Sequence, residues 1–207
     1  LMNVINGGAH ANNSLRIQEF MIRPDKAKTF KEAIHISFLV IQKLKTLIIN
    51  NNLSTNLGDE GGFAPSLKNN EEAIEFILKA IEKAGFKVGS DVSLCLDVAA
   101  NELFKDNKYA VNSAKFFSSD KTIEYYTNLI KKYPIKSIED PLSEDDWVSW
   151  INLTNSVSKD IQIVGDDLFV TNKERLLKGI KSKAANTILI KPNQIGTLTE
   201  TMEVINL

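Results

Sequence analysis

Four short apolar runs, each closed by a charged residue, constrain this chain more than any other feature. Residues 92–96 lead into Asp97, residues 135–138 into Glu139, residues 161–165 into Asp166, and residues 187–190 into Lys191. Helical patterns fill the gaps, over about 119–133, 145–157 and 172–183, with another starting near Thr197. Strands alternating with helices imply a parallel sheet with both faces covered. An open doubly wound sheet and a closed barrel both fit that alternation. The polar residues decide between them. A charged side chain at the carboxyl end of four successive strands reads as a site on the top face of a TIM-type barrel. A doubly wound sheet gathers its ligand contacts at one switch point behind a glycine-rich turn. No G-x-G-x-x-G motif is present, and Asp59-Glu60-Gly61-Gly62 lacks the spacing of a phosphate loop.

Two strand-like runs, 2–6 and 17–22, precede this repeat, and two helices follow them. The first helix spans 29–50, with Phe30, Ile34, Phe38, Ile41 and Leu44 placed on one face. The second opens at Asn70 and runs to about Ala84, ending at Gly85. The 207 residues suffice for one domain with a core, and no linker divides them. Lys and Arg number 25 against 26 Asp and Glu, so neither a nucleic-acid patch nor a polybasic membrane anchor is evident. No stretch has the length and apolarity of a transmembrane helix, and no signal-peptide pattern opens the chain. The lone Cys95 lies in an apolar run and reads as a buried thiol in a reducing, cytoplasmic setting. The chain starts in a strand-like run and stops inside a helical pattern, so both ends read as cuts.

Asp97, Glu139 and Asp166 are hard oxygen donors suited to Mg²⁺. Packed together without a cation they repel one another. Each alone could instead cap the helix that follows it. Lys191 suits a base, because a nearby cation disfavours its ammonium form and draws its pKa downward. Removing a proton next to a carboxylate builds a doubly charged aci-carboxylate, which metal ions stabilise. Glu60, between flanking glycines, is the candidate acid. Glu19 sits mid-strand and needs a partner if buried. His10 follows the turn signal Asn6-Gly7-Gly8. His35 reads as structural.

Together these segments resemble enolases. Asn6-Gly7-Gly8-Ala9-His10-Ala11 is similar to the family's N-G-G-x-H-A turn, and Ile17-Gln18-Glu19-Phe20-Met21-Ile22 to its Q-E-F-M-I strand. Gly58-Asp59-Glu60-Gly61-Gly62-Phe63-Ala64-Pro65 resembles the general-acid loop. Leu96-Asp97-Val98-Ala99-Ala100, Ser137-Ile138-Glu139-Asp140-Pro141-Leu142 and Gly165-Asp166-Asp167-Leu168 resemble the three metal-ligand segments. Lys191-Pro192-Asn193-Gln194-Ile195-Gly196 resembles the catalytic-lysine segment. The motifs occur in family order over essentially the whole chain. Arg16, Val98 and Pro192 depart from common family residues, and none of them is a reacting group.

The resemblance implies an α/β fold, an enolase-type TIM barrel of ββαα(βα)6 order, incomplete at about six of eight strands. It implies that residues 1–207 are part of the C-terminal barrel domain, lacking the N-terminal α+β domain and the last barrel strands, and that two sheet edges are left unpaired. It implies reversible dehydration of 2-phospho-D-glycerate to phosphoenolpyruvate. In that scheme Lys191 takes the C2 proton, and Glu60 protonates the leaving hydroxyl with help from Glu19. Asp97, Glu139 and Asp166 hold one Mg²⁺, Asp167 supports the metal end, and a second Mg²⁺ arrives with substrate. His10 and Gln18 line the substrate pocket. The family is typically a homodimer or higher oligomer. Two alternatives stand beside this reading: a superfamily enzyme acting on another carboxylate, and a truncated non-catalytic paralogue serving as a binding module.

Overall fold

Strands β1 (Met2–Asn6) and β2 (Glu19–Arg23) form an antiparallel hairpin, with Asn6 opposite Glu19. They open a computed structural model that describes residues 1–112, 115–157 and 159–207. Two helices follow, α1 (Phe30–Asn50) and α2 (Asn70–Lys83). Both start at side-chain caps: Thr29 accepts from the Glu32 N–H, and Asn69 accepts from the Glu72 N–H. Strand β3 (Ser93–Asp97) then pairs antiparallel with β2.

Regular alternation begins beyond β3, after an insertion the sequence reading did not contain. That insertion is a small antiparallel sheet of β4 (Phe104–Lys105), β5 (Lys108–Asn112) and β6 (Lys115–Phe117). Helix α3 (Ser119–Lys132), strand β7 (Ile135–Glu139), helix α4 (Trp147–Ser156), strand β8 (Gln162–Gly165) and helix α5 (Lys173–Ser182) follow in order. Strand β9 (Thr187–Ile188), the short helix α6 (Pro192–Ile195) and helix α7 (Leu198–Ile205) complete the chain. The main sheet has the order β1-β2-β3-β7-β8-β9, parallel from β3 onward, and it does not close among the described residues. No helix among them is long and apolar enough to cross a membrane.

The core lies between sheet and helices. Ile5, Phe20, Ile22, Leu94, Leu96, Ile138 and Ile163 from the strands meet Ile48, Ile74, Ile77, Ile81 and Trp150 from the helices. Full burial of β3 explains the consecutive apolar residues Leu94, Cys95 and Leu96, since a strand covered on both faces has no solvent side to encode.

Three expectations need correction. In α1 the face turned inward carries Ile36, Val40, Leu44 and Ile48, whereas Phe30, Ile34 and Phe38 are exposed. The helix has two apolar stripes, and only one joins the buried core. Strand β9 is shorter than expected, ending at Ile188, and its surroundings are half-buried because it lies at the sheet edge. The outer edge of β1 is not bare. Phe63 donates its N–H to the Val4 carbonyl at 3.0 Å, and the Asn6 N–H bonds the Phe63 carbonyl at 2.9 Å.

Cys95 sits mid-β3 with no exposed surface, and burial pushes its thiol up to about 11. At pH 8 roughly one thiol in a thousand would be ionised. A disulfide reagent is expected to label the native protein far more slowly than the unfolded one. Equal rates would mean that β3 is open to solvent.

Candidate active site

The parallel register delivers the site. Asp97 lies opposite Glu139 in the β3–β7 pairing, and Asp166 follows β8 directly. These carboxylates, with His10, Gln18, Glu19, Glu60 and Lys191, line one cavity of about 400 Å³. All eight side chains expected at the site therefore share one space, joined by Asp140 and Asp167.

Two groupings stand out within it. In the first, His10, Glu19 and Glu60 present ligand atoms within 4.8 Å of one another. The His10 Nδ1 lies 3.9 Å from a carboxylate oxygen of each glutamate, is buried, and has no hydrogen-bond partner. Burial raises Glu19 to about 9, with added contributions from its hydrogen bond to Glu60 and the negative charges of Asp97, Glu60 and Glu139. Glu19 thus holds a proton at neutral pH, inside the site and bonded to Glu60. The partner that Glu19 was expected to need is Glu60.

The second grouping is Glu139, Asp140 and Asp166, again within 4.8 Å. Burial raises Glu139 to about 8, together with repulsion from Asp97, Asp140 and Asp166. Burial raises Asp97 to about 7, although it accepts hydrogen bonds from Gln18 Nε2 at 3.1 Å and the Ala99 N–H at 3.0 Å. The Asp166 carboxylate accepts from Gln194 Nε2 at 2.7 Å and from Lys191 Nζ. Buried anions that raise one another's pKa form a hard-oxygen donor set of the kind a divalent cation neutralises. Asp97, Glu139 and Asp166 fit Mg²⁺ on that ground.

Lys191 does not end a strand. It is the N-cap residue of α6, its backbone N–H held at 2.8 Å by Thr171 Oγ1. Nor is its pKa lowered. Burial pulls the ammonium down, but the hydrogen bond to Asp166 and the charges of Asp166, Glu139 and Asp97 outweigh it, and the net shift is upward. The expected fall requires positive charge among those carboxylates; here they face the lysine directly.

The Glu60 loop is shaped by glycine. Gly61 has φ +79° with open space around it, so the turn needs only its backbone freedom. Gly62 is different: a Cβ there would lie 2.8 Å from Asn6 Oδ1, which accepts the Gly62 N–H at 3.0 Å. Gly62→Ala is therefore expected to cost about 1–3 kcal/mol by steric displacement. Denaturant unfolding beside Gly61→Ala would check this, and equal small losses in both would show that the loop does not rest on Asn6.

Sequence reasoning missed Asn6, Asn101, Asp140 and Gln194. Asn6 is fully buried and also bonds the Gln18 carbonyl at 3.3 Å, so it joins the His10 turn to the Glu60 loop. Asn101 donates to Asp167 at 3.0 Å and to Glu144 at 2.8 Å. Asn6, Asp140 and Gln194 stand inside quoted motifs and Asn101 directly after one, but sequence position carries no signal of their partners.

The fold and site define a TIM-barrel-type α/β protein with carboxylates and a lysine gathered at the carboxyl ends of its strands. A family model described as "Enolase, C-terminal TIM barrel domain" matches residues 1–207. The chain is 62% identical over 205 residues to the enolase of Pelagibacter ubique, covering 99% of this chain and 49% of that protein. It is 51% identical over 208 residues to the enolase of a Nitratiruptor species, covering 100% of this chain and 49% of that one. The chain belongs to the enolase C-terminal barrel family. It spans about half the length of the curated relatives it matches.

Proposed function

We propose that this chain supplies the catalytic barrel face of an enolase, a lyase interconverting 2-phospho-D-glycerate and phosphoenolpyruvate. One observation carries the reading. A lysine paired with a carboxylate cluster, and a protonated Glu19 bonded to Glu60, line the same cavity. Dehydration next to a carboxylate needs a base for one carbon and an acid for the oxygen leaving its neighbour.

Lys191 is the base that removes the C2 proton. To do so it must leave its pairing with Asp166 and give up its own proton. Glu60 is the acid at the departing hydroxyl. Glu19 holds a proton beside it, bonded to Glu60, so the pair keeps an acid available near neutral pH. His10 and Gln18 line the pocket, and Gln18 also orients Asp97. Asp97, Glu139 and Asp166 would hold Mg²⁺, with Asp167 nearby on the same loop. When bound, the ion supplies positive charge where the substrate carboxylate gains negative charge.

The test is absorbance of phosphoenolpyruvate formed from 2-phosphoglycerate by the full-length natural protein, with Mg²⁺ and with chelator. Metal-dependent turnover is the expected result. A folded, metal-binding protein without turnover would withdraw the roles given to Lys191 and Glu60.

A further inference from the structure

Asp140 stands in the acidic grouping with Glu139 and Asp166, and by proximity alone it would count among the ligands. Its hydrogen bonds say otherwise. One carboxylate oxygen accepts the Asp166 N–H at 3.0 Å, and the other accepts the Asp167 N–H at 2.8 Å. Its own N–H bonds the Val164 carbonyl at 3.0 Å, and its carbonyl accepts the Ala100 N–H at 3.0 Å. One buried residue therefore ties together the carboxyl ends of β3, β7 and β8, where Asp97, Glu139 and Asp166 stand. It does so from the left-handed region, at φ +40°, which aspartate and asparagine tolerate better than other non-glycine residues.

We propose that Asp140 is a positioning residue that fixes the backbone of Asp166 and Asp167, and that it is not itself a metal ligand. This rests on the Mg²⁺ reading of Asp97, Glu139 and Asp166. A cation bound to Asp140 would compete for an oxygen already used by a backbone amide, and displacing that amide would leave a buried donor unpaired. Asn at this position keeps the backbone preference but turns an NH₂ toward one of the two N–H donors. Asp140→Asn thus removes the carboxylate clamp without changing the local conformational bias.

Mn²⁺ serves as the probe, titrated into the full-length protein. The dissociation constant of Asp140→Asn is expected to rise about 10–100-fold, the usual effect of losing a group that orients a ligand. The number of exchangeable waters on bound Mn²⁺, counted by proton relaxation, is expected to stay at the wild-type value, whereas Asp166→Asn gains one. A variant-free measurement stands beside these. In the wild type, hydrogen exchange at the Asp166 and Asp167 amides is expected to be as slow with Mg²⁺ as without it. Unchanged Mn²⁺ affinity in Asp140→Asn, an added water there, or Mg²⁺-induced exposure of either amide would overturn the proposal. Wild-type protein that binds no Mn²⁺ would instead overturn the metal reading beneath it.

Discussion

Replacing Lys191 with alanine is expected to lower kcat for phosphoenolpyruvate formation by about 10²–10⁴-fold, the range for losing a positioned general base. KM should change far less, because the proton is moved in the transition state and not on binding. The structure adds a second expectation. Lys191 Nζ bonds Asp166, and its positive charge sits among the very carboxylates assigned to the cation. Deleting it removes a competing charge, while Gln194 still donates to Asp166. Mn²⁺ should therefore bind the variant at least as tightly as the wild type. Lost turnover with retained metal affinity identifies the base. Lost turnover with weakened metal binding would mean that Lys191 supports Asp166 and does not touch the substrate proton. Activity within about tenfold of wild type would remove Lys191 from the chemistry.

The largest stability effect should come from pH and metal together. In chelator, thermal stability is expected to fall as pH rises from about 5 to about 9. The raised carboxyls set both sign and window: Asp97 to about 7, Glu139 and Asp140 to about 8, Glu19 to about 9. Unfolded carboxyls release their protons near pH 4. Across the window the native state holds protons that the unfolded state has lost, so stability drops with each step upward. Below about pH 4 both states are protonated and the dependence disappears. Each tenfold change in proton affinity is worth about 1.4 kcal/mol. A chain of this size responds by about 2–4 °C in Tm per kcal/mol, so even one such tenfold step amounts to several degrees, and the fall across the window should exceed that. Mg²⁺ should reverse it, since the ion binds the ionised donors and stabilises the state that holds them. The gain in Tm from Mg²⁺ is thus expected to grow with pH across the same range. A Tm that is flat in chelator, or an Mg²⁺ gain that is largest at pH 5, would contradict the cluster's electrostatics.

The site was more legible than the scaffold around it. Asp97, Glu139 and Asp166 stood out because a charged residue ending a mainly apolar run is conspicuous, and a parallel sheet aligns such ends physically. Glu60 stood out because glycines bracketed it. Helix α1 was harder. Phe30, Ile34 and Phe38 keep helical spacing as faithfully as Ile36, Val40 and Leu44, and periodicity cannot choose which stripe is buried. The β4–β6 sheet escaped notice because its strands are short and mix Lys and Asn with Phe, Tyr and Val. Asp140 was invisible for another reason. Its role depends on a left-handed backbone and on amides from the following strand end, and neither leaves a mark on spacing or composition. The pairing of Lys191 with Asp166 was not legible either, because which charges lie nearest the ammonium is a fact of geometry.

The two bonds between Phe63 and β1 bear on how the acid can move. Because Val4 and Asn6 both engage Phe63, the segment leaving the Glu60 turn is stitched to the rim of the sheet. The tip at 58–61 is held too: the bonds from Gly58 to Gly62 and from Gly61 to Gly58 close it into a tight ring, and the Asp59 N–H bonds the His10 carbonyl at 3.0 Å. Withdrawing Glu60 means releasing the Asp59–His10 bond and, for a longer path, unzipping part of the rim. The acid therefore stands on a fixed post, and a wide lid-like sweep would first have to break structure that the fold itself needs.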